Sequence, residues 1–238
     1  MNYKKILSTF FTFFLLVGFL FSQNENAPKN IIIMIGDGMG FQHIKASEFF
    51  RGDTKSEFWS QFSVQLSAST FPAKLKSEIN SGYNPELAWK SMGYVMSGFT
   101  ESAAAGTALA TGVKTKNDYI GIDVNQIPLL NLTQLAKQHK KSAGIVTSVP
   151  FSHATPAAFG AHNITRKNYG EIAFEMLVQS QLDVLMGAGH PLYSNDAGIK
   201  DKDDFKYVMS RDLFSQIIEG KNEVVINNVS YSLQDVDF

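Results

Sequence analysis

The stretch that decides the fold is Asn30-Ile31-Ile32-Ile33-Met34-Ile35-Gly36-Asp37-Gly38-Met39-Gly40. Its first six residues form a continuous apolar run, the pattern of a strand buried on both faces. A Gly-rich turn follows, and Phe41–Phe50 then reads as a helix. Buried strand, tight turn and helix together open an α/β unit. Working outward, Ser142–Val149 and Leu182–Met186 repeat the apolar-run signature. Between them Tyr169, Ile172, Ala173, Met176 and Leu177 fall at i, i+3, i+4, i+7 and i+8, which predicts an amphipathic helix. A further helix is predicted from Asn131 as N-cap, with Gln134 at N3 and Leu132, Leu135 and Ala136 on its buried side. Strands alternating with helices predict an α/β fold with a largely parallel sheet and helices on both faces. Ligand sites in such folds lie at the carboxyl ends of the strands. Residues 51–90 hold Trp59 and Trp89 among many Ser and Lys without a clean period, and read as an insertion beside the sheet.

Composition narrows the classes of function. The chain has 238 residues, 44% of them hydrophobic, and 21 basic against 22 acidic side chains for a net charge of −1. That balance offers no polybasic surface for nucleic acid, so no nucleic-acid partner is expected. The absence of cysteine excludes disulfides, thiolate catalysis and zinc ribbons. At the N-terminus Lys4 and Lys5 precede an apolar run from Ile6 to Phe21, and Ser22 is followed by polar Gln23-Asn24-Glu25-Asn26. This is the pattern of a signal peptide over residues 1–22, with a membrane anchor as the alternative. The expectation is an exported protein, periplasmic or extracellular, with no stable membrane anchor after cleavage. Residues 23–238 then belong to a single α/β domain.

Three segments carry residues capable of chemistry. Asp37, between two glycines at the end of the first predicted strand, is either a metal ligand or the cap of the next helix. Gly98–Ala108 follows a strand predicted over Met92–Met96 and opens a helix of very small residues. Ser102 stands at its start, as an N-cap or beside donors that favour an anion. Phe151–Ala158 and Ala161–Arg166 follow the strand ending near Val149. There His153 and Thr155 are candidate cation ligands, and Arg166 has the planar fork that clamps phosphate.

In this order the segments resemble the alkaline phosphatase family. The resemblance rests on Gly36–Gly40, on Thr100–Thr115 with its Ser-Ala-Ala core, on Gly121-Ile122-Asp123, on Ala154–Ala157 and on Ala161–Arg166. It implies hydrolysis of small phosphate monoesters through a phosphoserine on Ser102, with two Zn²⁺ and one Mg²⁺ as cofactors. Asp37 would ligate one zinc and approach the magnesium, Thr155 would ligate magnesium, and Arg166 would hold two phosphate oxygens. Two departures stand out: Glu101 replaces the family's aspartate, and His153, beside the magnesium ligands, occupies a position that relatives fill with Asp or His. None of His43, His139, His153, His162 and His190 lies in an Asp-x-x-x-His or Asp-His pattern. The chain is therefore expected to hold the N-terminal part of such a protein, incomplete toward the C-terminus, and to be inactive as an isolated fragment. Kept beside this reading are a phosphodiester or sulfate ester hydrolase of the same superfamily and a non-catalytic phosphate-binding protein. A homodimer stays open as the assembly.

Overall fold

The computed structural model describes residues 28–52, 61–68, 70–73, 84–194, 196, 198–221 and 223–232. The signal-peptide reading of residues 1–22 and about half of the 51–90 insertion, Trp59 included, lie outside them. Among the described residues, no helix is long and apolar enough to cross a membrane.

The chain divides between Gly36 and Asp37 into two units. In the first, residues 31–36 form no strand, with Ile32 85% and Met34 86% exposed. This corrects the opening expectation. A strand exists through its ladder, and no ladder forms over this run, so apolar composition alone does not make one.

The second unit holds the sheet. Strands β1 (Gly144–Pro150) and β2 (Val184–Ala188) pair in parallel, with Gly144 opposite Val184, Ile145 opposite Leu185 and Pro150 opposite Ala188. Both are the predicted apolar runs. The crossover between them carries two helices, α6 (Ala154–Ala157) and α7 (Tyr169–Phe174), the latter running on into a π-helical turn at Glu175–Gln179. Parallel strands need such a crossover, because a hairpin cannot return the chain in the same direction. Ile172, Ala173 and Met176 are the buried stripe of this crossover, as their spacing predicts.

The remaining helices are α1 (Phe41–Arg51), α2 (Pro85–Lys90), α3 (Met92–Ser97), α4 (Ser102–Thr111), α5 (Leu132–Gln138) and α8 (Arg211–Ile218). The strand predicted over Met92–Met96 is thus helix α3. Ser91 caps it by accepting the Tyr94 N–H at 3.2 Å, a local signal that outweighs a short apolar run. The capping box of α5 forms as predicted, Asn131 Oδ1 accepting the Gln134 N–H and Gln134 Oε1 the Asn131 N–H. Its facing differs from the expectation: Leu132 and Leu135 are exposed and Thr133 is buried, its hydroxyl donating to the Phe159 carbonyl at 2.6 Å. A hydrogen bond to a carbonyl the crossover leaves free sets the rotation of this short helix. A hairpin of β3 (Glu223–Ile226) and β4 (Val229–Ser232) packs with α8 through Leu213, Ile217 and Val224.

The main core joins Ala103, Ile120, Ile145, Phe151, Ala154, Ala157, Ala161, Ile172, Ala173, Met176 and Val208. Many of these are alanines, so α4 and α6 approach closely. A Cβ placed on Gly106 would stand 3.0 Å from the Ala158 Cβ and 3.6 Å from the Thr155 Cα.

Candidate active site

Three oxygen-bearing side chains from distant parts of the chain meet at one carboxylate. The Ser102 hydroxyl lies 3.1 and 3.0 Å from Asp37 Oδ1 and Oδ2, and the Thr155 hydroxyl donates to Asp37 Oδ2 at 2.7 Å. Sequence separations of 65 and 118 residues are closed here. Asp37 does not cap α1, whose N-cap is Gly40. Ser102 is the first residue of α4 and Thr155 lies within α6, just beyond the carboxyl end of β1, the edge expected to carry ligands.

Ser102 is not the cap of α4. Glu101 holds that position, and its carboxylate accepts the Ala103 and Ala104 N–H groups at 2.9 and 3.1 Å. The helix terminus expected to receive an anion is therefore already occupied by a side-chain carboxylate. The same carboxylate accepts the Asp118 N–H at 2.8 Å and a hydrogen bond from Arg166 Nη1. Arg166 is also fixed through its backbone, its N–H donating to the Asp118 carbonyl at 2.8 Å. Glu101 thus ties the serine helix to the arginine. Asn117 supports this strap: it accepts the Glu101 N–H at 3.2 Å and donates to the Phe99 carbonyl at 3.1 Å. Nothing in the sequence pattern marks Asn117, because its partners lie 16 and 18 residues away with no period to reveal them.

His153 precedes α6 and packs among rings, stacked on Tyr169 with centroids 5.4 Å apart and edge-on to Tyr207 at 5.3 Å. Burial holds its pKa below the ordinary value, and the positive charges of Arg166 and Lys206 add to that. Its Nε2 is buried without a hydrogen-bond partner. Asp123, from the Gly-Ile-Asp element, serves a turn: Oδ1 accepts the Asn125 and Ile127 N–H groups at 2.8 Å each. Those bonds, Ile127 first, depress its pKa.

The donor chemistry at Asp37 is all oxygen. One carboxylate with two hydroxyls fits part of the shell of a hard cation such as magnesium. It supplies only part of the shell of zinc, which takes about four ligands, carboxylate oxygen among them. Among the described residues no group of three or more His, Cys, Asp or Glu is placed to hold a metal ion.

Comparison with known proteins gives a consistent picture. The profile of the alkaline phosphatase family matches residues 28–229. Alkaline phosphatase 4 of Bacillus subtilis is 37% identical over 180 residues, which cover 72% of this chain and 35% of that protein. Among solved structures, a cold-active alkaline phosphatase from a psychrophilic Shewanella matches with a TM-score of 0.53 at 33% identity, over 78% of this chain and 38% of its own. A mutant of the TAB5 alkaline phosphatase with Mg bound matches with a TM-score of 0.51 at 26% identity, over 76% of this chain and 44% of its own. The chain spans well under half the length of each of these relatives.

Proposed function

The chain belongs to the alkaline phosphatase family, and on that premise we propose that it carries the nucleophile and phosphate clamp of a metal-dependent phosphate monoesterase. The observation that supports this most strongly is the meeting of Ser102, Thr155 and Asp37 at 2.7–3.1 Å beside an arginine tied to the serine helix. Ser102 Oγ attacks phosphorus: its O–P bond forms as the bond to the leaving oxygen breaks, the seryl proton departs with the released alcohol, and water then hydrolyses the phosphoserine to inorganic phosphate. Asp37 orients Oγ by accepting its hydrogen. Arg166 has one nitrogen on Glu101 and turns the rest of its fork to the transferring phosphoryl oxygens.

Asp37 and Thr155 would hold a magnesium ion. A cation there supplies charge that lowers the pKa of an oxygen nucleophile. The described residues do not by themselves make a zinc cage. Residues 1–22 are assigned as an export signal by the same reading.

The test is acid quenching of the full-length protein containing this chain with an aryl phosphate and Mg²⁺ and Zn²⁺, followed by peptide mass spectrometry. Phosphate on Ser102, absent in Ser102→Ala, is the expected result. Phosphate on another residue refutes the assignment. Binding of inorganic phosphate with no phosphoserine at any pH favours a phosphate-binding protein instead.

A further inference from the structure

Arg166 is followed by Lys167, Asn168, Tyr169, Gly170 and Glu171, which together with Lys206 line an open cleft of about 620 Å³. Lys206 comes from a separate segment after β2. Its Nζ lies 4.8 Å from the Tyr169 ring centroid and 5.0 Å from that of Tyr207, a pair of cation–π contacts that holds the ammonium in place. Among the described residues neither Lys167 nor Lys206 pairs with a carboxylate. Asp204, two residues before Lys206, uses Oδ1 on the backbone N–H of Lys206 at 3.0 Å. Glu171 is the cleft's one acidic side chain. Its Oε2 accepts amide hydrogens from Asn163 and Asn168 at 2.8 and 3.1 Å, which fixes the carboxylate in a local network. Two unpaired cations against one engaged carboxylate leave the cleft attractive to anions.

The cleft adjoins the phosphate clamp. The His153 ring, two residues before Thr155, stacks on Tyr169, which lines the cleft, and the Lys206 ammonium lies over the same tyrosine. Chain adjacency of Arg166 and Lys167, with the Tyr169 ring shared by His153 and Lys206, joins the cleft to the phosphate clamp.

We propose that the Lys206–Lys167 cleft is a subsite for a second phosphate carried on the leaving group, so that the site favours short bisphosphorylated esters over simple monophosphates. This rests on the reading of Arg166 as the phosphate clamp. The lysine supplies a point charge with rotatable donors, suited to a phosphate that arrives on a flexible linker.

Calorimetric titration of the full chain in magnesium buffer tests this without requiring turnover, using propyl phosphate and propane-1,3-diyl bisphosphate as probes. The bisphosphate should bind about tenfold more tightly, the scale of one charge-assisted hydrogen bond. Lys206→Met, which keeps the apolar stem over the tyrosines, should remove that advantage and leave propyl phosphate unchanged. Lys206→Arg should restore it. An advantage that persists in Lys206→Met, or its absence in the wild type, overturns the subsite. Arg166→Ala should weaken both probes. If it weakens neither while Lys206→Met still discriminates, the cleft binds anions but Arg166 is not the clamp, and the proposal of a leaving-group subsite falls with it.

Discussion

Replacing Glu101 by alanine should destabilise the chain and loosen Arg166 at the same time. Its carboxylate, on a side chain only 19% exposed, caps two N–H groups of α4, accepts the Asp118 N–H and pairs with Arg166. Loss of a helix cap is worth about 1 kcal/mol. Loss of a charged acceptor for the Asp118 N–H adds about 1.5–3 kcal/mol. The partly exposed ion pair adds at most about 1 kcal/mol, since solvent screens it. The expected total is about 2.5–5 kcal/mol, read as a lower urea midpoint at unchanged slope. Glu101→Asn should recover only about the cap, roughly 1 kcal/mol, because its side chain is shorter and carries no charge for Arg166. Inorganic phosphate affinity should fall in both variants. A loss below about 1 kcal/mol in Glu101→Ala, with phosphate affinity intact, would show that Glu101 is a cap and nothing more.

His162 gives a pH dependence. Burial lowers its pKa, but the hydrogen bond it donates to the Glu175 carboxylate at 2.6 Å, the one to the Leu129 carbonyl and the Glu175 charge outweigh this and raise it above 6.5. A raised folded pKa means the stabilisation is fully present below about pH 6.5 and is lost as pH rises through the folded value. Urea midpoints of the wild type should fall across that window, whereas His162→Gln should show a flatter profile; parallel profiles would refute the assignment. Gly121→Ala should destabilise by at least about 2 kcal/mol in thermal unfolding, because a forced backbone shift adds to left-handed strain. The glycine has φ +60°, and its Cβ would stand 2.3 Å from the Ala161 carbonyl oxygen. A stability equal to that of the wild type would mean that the neighbouring backbone, where Ile120 and Asn163 exchange two hydrogen bonds at 2.9 Å, relaxes freely.

What could be read from the sequence was what is encoded locally. Strands β1 and β2, the crossover stripe and the Asn131–Gln134 box are set by residues within one or two turns of each other. The strands expected over Asn30–Ile35 and Met92–Met96 do not form, because a short apolar run is compatible with strand, helix or neither, and the deciding neighbours lie elsewhere in the chain. The site divides in the same way. Asp37, Ser102, Thr155 and Arg166 were legible through motif resemblance, since their separations leave no periodic trace. Ser102 as the cap of α4 was one of two alternatives in the sequence, since serine is a common cap; the structure puts Glu101 there, with a second partner on Arg166. The Lys206 cleft left no signal, because a single lysine after β2 looks like any solvated residue.

The small residues of α4 connect packing to chemistry. Ser102-Ala103-Ala104-Ala105-Gly106 has no large side chain to bury, so its burial gains little from hydrophobic area. What it permits is approach. Gly106 lies against Thr155 and Ala158 of the neighbouring segment at contact distance. Ser102 stands about one turn before Gly106 on the same helix, so the spacing of α4 and α6 sets the spacing of the two hydroxyls. Both hydroxyls then fall within reach of one carboxylate, at 2.7–3.1 Å. A bulkier residue at 106 would separate the helices, and Asp37 could follow one hydroxyl but not both. The stripe therefore acts on function through distance, and the strap from Glu101 to Arg166 fixes the remaining corner of the site against the same helix.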